Sequence, residues 1–263
     1  MTAAKFVEVQ IDGAIAQITL NRPDVHNAIT GAVHHALHDA FMAVRAMVEI
    51  RAIVFAARGK NFSAGGDFDE ILADRADPSR VGLLGTDGKS LFMAIADCQL
   101  PVITALQGDA VGLGATLILI SDAIFAARTA KISDPHVVIG LTAGDGGCAT
   151  WPQHIGLLRA KRYLLSGDRI SAVDAHAMGL ITDLVETPHD ALPAARAYAA
   201  RLAALPPLAV QSTKRTLNKF FRDRIEAIFD YGMARELETF VSDDVGEAIA
   251  AFREKRTPTY TGR

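Results

Sequence analysis

The chain has 263 residues and only two cysteines, Cys98 and Cys148. Two thiols build no disulfide framework and show no metal-ligand spacing, a usage that fits a reducing cytosol. An excess of one charge is missing too: 27 Lys and Arg stand against 30 Asp and Glu, a net charge of −3. That balance gives no electrostatic case for nucleic acid or an anionic membrane as partner. Polar or charged residues interrupt every apolar run before it reaches membrane-spanning length, and the N-terminal MTAAKFVEVQIDG reads as a strand, not a signal peptide. Phosphate-binding fingerprints are also lacking; VGLGAT has no third glycine for GxGxxG, and GxxxxGK[ST] does not occur. The expectation is a soluble cytoplasmic protein, one large domain or a core with an appendage. Half of its residues are hydrophobic, enough to bury a sizeable core.

What is present is an alternation of short apolar strands and helices. KFVEVQ and AIAQITL flank Asp12-Gly13 and predict a β-hairpin. NRPDVHNAIT follows as a loop, with Thr30 placed to cap the helix GAVHHALHDAFMAVRAM. Next come the strand RAIVFAA, a turn at Ala64-Gly65-Gly66, and a helix starting in DFDEILAD. Residues 74–88, DRADPSRVGLLGTDG, are rich in Asp, Gly and Pro and read as a mobile loop. After the helix KSLFMAIADC come the strand PVITAL, a helix from about residue 113 and the strand DAIFAA. The recurrence of these elements suggests stacked ββα turns rather than one doubly wound sheet, and from about residue 189 the pattern is helical.

Candidate chemistry gathers at three glycine-rich segments. KNFSAGGDF and LQGDAVGLGATL each follow a buried strand and lead into a helix. Either is readable as a tight turn alone. Together they offer backbone N–H groups at helix starts, where donors are unpaired and the dipole is positive. Two such groups converging would hold a carbonyl oxygen that becomes an oxyanion. The third segment, ISDPHVVIGLTAGDGGCATW, places His136 after Pro135 and Asp145 nine residues further on. A carboxylate beside a histidine sets its tautomer and supports its charged form, which suits acid–base work. The alternatives are a structural histidine and a helix-capping aspartate. His34 and His38, spaced i, i+4, read as a solvated helix face, with no acidic third ligand for a metal. Cys148 has no partner to activate it and reads as an unreactive thiol.

These segments, with NRPDVHNA, LLSGDRISAVDAHAMGLITDLV and AFREKR, resemble the crotonase (enoyl-CoA hydratase/isomerase) superfamily over nearly the whole chain. The resemblance implies an α/β fold, a ββα spiral core over 1–200 and a helical trimerisation region over 201–263, assembled as a homotrimer or hexamer. It makes the N–H groups of Gly66 and Leu113 the oxyanion donors. It also sets Ala28, Ala64, Asp67 and Phe68 along a CoA groove, Pro135 with the substrate, and Lys255 near the CoA phosphates. Neither metal nor separate cofactor is implied, coenzyme A being part of the substrate. The family's hydratases carry two glutamates where this chain has Thr116 and His136. Threonine is no base near pH 7, so two-carboxylate hydration is not expected. The His136/Asp145 pattern is similar to the β-diketone hydrolases of the oxocamphor hydrolase type, and an acid in this loop is also similar to dienoyl-CoA isomerases and aryl-CoA dehalogenases. The sequence therefore implies an acyl-CoA enzyme working through an enolate, with His136 as acid/base and Asp145 assisting. A hydrolase of a small diketone and a non-catalytic acyl-CoA-binding protein are the alternatives.

Overall fold

The structure, a computed structural model, describes residues 6–263; the first residue of the expected opening strand, Lys5, lies outside them. Strands β1 (Val7–Asp12) and β2 (Ile15–Leu20) form the expected antiparallel hairpin, with Gly13 at φ 57° in its turn. From there the chain winds in one sense. Helix α1 (Gly31–Arg45) returns it to β3 (Ala52–Ala57), which pairs parallel with β2. Thr30 caps α1 as expected, its hydroxyl accepting from the Val33 N–H at 3.4 Å. Helices α2 (Phe68–Arg75) and α3 (Pro78–Ala96) lead to β4 (Val102–Leu106), and β5 (Ala110–Val111) and α4 (Leu113–Leu119) lead to β6 (Ala123–Ala127). After β7 (Lys131–Ser133) come α5 (Gly147–Leu164), β8 (Ile170–Ser171), α6 (Ala172–Met178) and β9 (Asp183–Val185).

Two sheets result. The larger runs β1-β2-β3-β4-β6-β9, parallel after the opening hairpin, and the smaller is β5-β7-β8. Strands β3 and β4 are buried on both faces, which is why they read as unbroken apolar runs rather than alternating ones. On one face, Phe41, Phe55 and Phe62 meet edge-to-face at 5.6 and 5.1 Å between ring centroids. On the other lies α7 (Pro188–Ala203), whose Ala191, Ala195, Ala199 and Ala203 form a stripe at four-residue spacing against Val54, Ile103 and Ala123. Small side chains there let the helix sit close to the sheet.

Helices α8 (Pro207–Phe240) and α9 (Asp243–Glu254) complete the chain, with α8 packed on α3 and α5. Residue 200, where the sequence reading divides the chain, lies inside α7, and residues 204–206 separate α7 from α8. One expectation is overturned. Residues 74–88 do not form a loop: α2 runs to Arg75 and α3 starts at Pro78, with Asp77 capping it through the Ser79 N–H at 3.0 Å. The glycines that suggested a loop serve helix packing, since a side chain at Gly85 or Gly88 would meet Met233 of α8 at 3.2 Å. Among the described residues, no helix is long and apolar enough to cross a membrane.

Candidate active site

The two glycine turns lie against each other. Ser63 bridges to Ala110, and the Val111 N–H donates to the Ser63 carbonyl at 3.0 Å. Gly65 takes φ 86°, and a side chain on it would strike the Val111 carbonyl at 2.8 Å, so both its conformation and the close approach demand glycine. Next to this contact Leu113 opens α4, where its N–H has no acceptor within the helix. Gly66 and Leu113 line one cavity of about 240 Å³, together with His136 and Asp145. The order strand, turn, helix thus brings two backbone donors and a histidine to one wall.

His136 follows β7, opens a short 3-10 turn and is buried. Its ring lies between two carboxylates: Nδ1 is 2.5 Å from Asp134 Oδ1 and Nε2 is 3.4 Å from Asp145 Oδ2. Burial alone would lower the His136 pKa, but Asp145 and then Asp134 outweigh it and hold the ring well above its ordinary 6.5. For Asp145, burial works upward and is overcome by the His136 charge, leaving the carboxyl below its ordinary 3.8. The two form a buried ion pair. The Thr116 hydroxyl donates to Asp145 Oδ1 at 3.4 Å and so helps orient that carboxylate. Gly146 holds the N-cap position ahead of α5, and the Gly147 N–H that opens the helix also helps keep Asp145 ionised.

Two residues of the site escape a reading by sequence spacing. Asp134 stands two residues before His136, a signal present in SDPH, and is fully buried. Glu236 comes from α8 and has no local signal at all. It reaches the site because Gly144 lies on Gly232: a side chain on Gly144 would meet the Gly232 carbonyl at 2.2 Å and Glu236 Cβ at 2.9 Å. Burial, then Asp145, pushes the Glu236 carboxyl up to about 8. His34 also departs from expectation. It does not face solvent; it is 8% exposed and lines the cavity, and burial lowers its pKa to about 4. Its place on the inner face of α1, with Val33 and Leu37, explains the difference. Cys148 is pushed up to about 11 by burial, so it stays a thiol.

The remaining expected residues divide. Ala64, Asp67, Phe68 and Pro135 line the cavity, with Asp67 also capping α2 through the Asp69 N–H at 3.1 Å. Ala28 and Lys255 lie outside the lining. Lys255 is exposed at the end of α9, whose Phe252 meets Phe68 edge-on at 5.4 Å. Asp134, His136 and Asp145 offer ligand atoms within 4.8 Å of one another. The two carboxylates lie on opposite ring nitrogens, however, so one cation cannot take the imidazole between both without the ring turning.

A ββα spiral with paired glycine turns facing a buried histidine defines an α/β enzyme fold of the crotonase type. The family model for enoyl-CoA hydratase/isomerase matches residues 10–263. A "Probable enoyl-CoA hydratase" of Rhodobacter capsulatus is 35% identical over 257 residues, 98% of each chain. The "2,3-dehydroadipyl-CoA hydratase" of Escherichia coli is 31% identical over 94% of each. A solved enoyl-CoA hydratase/isomerase from Mycobacterium paratuberculosis superposes with a TM-score of 0.89 at 39% identity, covering 94% of this chain and 98% of that one. The chain belongs to the enoyl-CoA hydratase/isomerase family of the crotonase superfamily and is an enzyme of that family.

Proposed function

We propose that the enzyme acts on an acyl-CoA thioester and holds its enolate between the N–H groups of Gly66 and Leu113, with His136 delivering the proton. One observation carries this reading. The His136 Cε1 lies 3.5 Å from where a side chain on Gly112 would begin, beside Leu113, while Nε2 points to Asp145. A proton donor therefore stands next to a pair of backbone donors suited to an oxyanion. With His136 held charged, the Asp145 carboxylate takes the α-proton as the enolate forms, and the ring returns a proton from Nε2 to the enolate carbon. The proton on Asp145 then passes to Nε2, 3.4 Å away, which restores the pair. Asp134 fixes the ring through Nδ1, and Asp145 steadies the charged form. Ala64, Asp67 and Phe68 form the CoA edge, and the Phe68–Phe252 contact supports a place for Lys255 beside it. The copies assemble as a trimer or hexamer.

The test is α-proton exchange of a panel of acyl-CoA thioesters in D₂O, followed by NMR. Wild type is expected to exchange the α-protons. His136→Ala and Asp145→Asn should each slow exchange by about 10² or more, with the double variant little slower than either, because groups acting as a unit are not additive. Exchange unchanged in His136→Ala would remove this mechanism. The direct His136–Asp145 contact, with threonine at 116, also supports a second reading: water held by the pair attacks one carbonyl of a compact β-diketone, and the N–H pair holds the departing enolate. That reading requires carboxylic acid and ketone as products and no coenzyme A.

A further inference from the structure

The turn that carries His136 is held from outside the cavity. Among the described residues, backbone N–H groups in and after the turn donate to the carbonyls of Pro135, His136 and Val137, and none donates to that of Val138. The Tyr260 hydroxyl, 122 residues further on, donates to the Val138 carbonyl at 2.8 Å. Gly140 ends the turn at φ 81° against α9, where a side chain would meet the Asp244 backbone at 3.1 Å. On another side, a side chain on Gly167 would meet Val138 at 2.6 Å. The turn is gripped between the loop after α5 and the segment that follows α9.

That segment is itself tied down. Residues 257–263 form neither helix nor strand, yet two carboxylates of α9 take three of their N–H groups. Thr261 and Gly262 donate to Asp244 at 2.7 and 2.9 Å, and Thr259 donates to Glu247 at 2.8 Å. Both carboxyls are held below their ordinary values, Asp244 chiefly by the Thr261 N–H and Glu247 chiefly by Arg256. Each is therefore charged at neutral pH, and hydrogen bonds to a charged acceptor are the stronger kind. Tyr260 stands between the anchored Thr259 and Thr261. Burial, then Asp244, raises its hydroxyl above the ordinary 10, so it remains a donor.

What this grip controls is the gap between His136 and Asp145. Asp134 stands two residues before His136 and travels with it, so their 2.5 Å contact is local. Asp145 belongs to the next loop, and its 3.4 Å contact with Nε2 depends on where the turn sits. The titratable groups around the ring are Asp134, Asp145 and, from α8, Glu236, with His34 of α1 on the same cavity. Asp145 is the largest of those that raise the ring.

We infer that Tyr260 is a positioning residue, its hydroxyl fixing the His136 turn at the working distance from Asp145, with Asp244 and Glu247 holding the segment that presents it. The effect on the ring is independent of the acyl-CoA reading; the effect on rate rests on it.

The first measurement needs no substrate. The full chain, isotope-labelled at histidine, is titrated by NMR, the His136 signal being the one absent from His136→Gln. In wild type the ring should titrate above 6.5. Tyr260→Phe keeps the aromatic ring and removes only the oxygen, and it should lower the midpoint by about half a unit or more. Asp244→Asn should lower it too, and the double variant should go little beyond the larger single effect. The second measurement is α-proton exchange on an acyl-CoA that wild type exchanges. Tyr260→Phe should cut kcat by about 3- to 10-fold and leave KM within about 2-fold. An unchanged midpoint in Tyr260→Phe overturns the inference, as does a wild-type midpoint at or below 6.5. An unchanged midpoint in Asp244→Asn overturns the part given to the anchored segment. A raised KM with kcat kept overturns the positioning role, because Tyr260 would then serve binding. If no acyl-CoA exchanges, the acyl-CoA reading falls and the midpoints alone decide.

Discussion

At the scale of single residues the site is a balance of burial against charge, and pH reads that balance. His136 is raised above 6.5 because two carboxylates outweigh its burial. Its contribution to stability is therefore complete below pH 6.5 and is lost as pH rises through the elevated folded value. Asp145, depressed below 3.8, contributes above that pH and loses its contribution as pH falls through its folded value. Glu236 is an acid raised from 4.5 to about 8, so the folded chain keeps a proton that the unfolded chain releases between those values. Stability from its protonated form is present below pH 4.5 and declines as pH climbs through 8. Glu236→Gln keeps the shape and cannot ionise. It is expected to stabilise the fold at pH 8.5, on the order of 2–4 kcal/mol and seen as a higher Tm, and to change Tm little at pH 5. Calorimetric melting of both proteins at the two pH values checks this; an equal shift at both would show that the carboxyl is not buried as an acid. The alkaline limb of the α-proton exchange rate should also lie well above pH 6.5 and vanish in His136→Ala, since an imidazolium donor is lost when the ring deprotonates.

At the scale of elements, most of the fold was legible in the sequence because strands and turns leave local marks. The Asp12-Gly13 hairpin, the Thr30 cap, the buried runs of β3 and β4 and the helix beginning at Leu113 all follow from patterns of a few residues. Residues 74–88 defeated that reading because Gly85 and Gly88 are small for the sake of α8, a partner about 145 residues away that no local pattern announces. The same long-range contact hid Glu236, and it did not hide His136 or Asp145, which belong to one loop system. Loop and helix meet most tightly where Gly144 faces Gly232, and this contact sets the height of Glu236 over Asp145. Gly144→Ala would drive its methyl into the Gly232 carbonyl at 2.2 Å, so backbone must move rather than a flexible side chain. The expected cost is about 2–3 kcal/mol, seen as a lower denaturation midpoint, with Glu236 displaced and activity reduced more than in Gly85→Ala. At Gly85 the methyl meets only the Met233 side chain, at 3.2 Å, and Met can yield. A Gly144→Ala protein as stable as wild type would show that α8 is not held by this contact.

At the scale of the whole molecule, large apolar side chains stand exposed on the helical part of the surface. Leu158 is 85% exposed, and Leu165, Leu208 and Phe220 are each 75% exposed, all on the helical part of the chain from α5 to α8. Single exposed apolar residues are ordinary, but large ones gathered on neighbouring helices suit burial against further copies, at about 25 cal/mol per Å² of apolar surface removed from water. Sequence reading reached this point only through family resemblance, since composition gives totals of apolar residues and not their placement. The expected outcome of light scattering on the eluting protein is a mass three or six times the 28.0 kDa of one chain at micromolar concentration. Leu158→Asp combined with Phe220→Asp should shift the mass towards a single chain, because a charge buried at an apolar contact is costly unless paired. The helical content should remain, since both positions face outward and take no part in the core. A wild-type protein eluting at 28.0 kDa, or a double variant with unchanged mass, would show that this surface is not where copies meet. In the second case the exposed faces of β1, at Val9 and Ile11, become the next place to look.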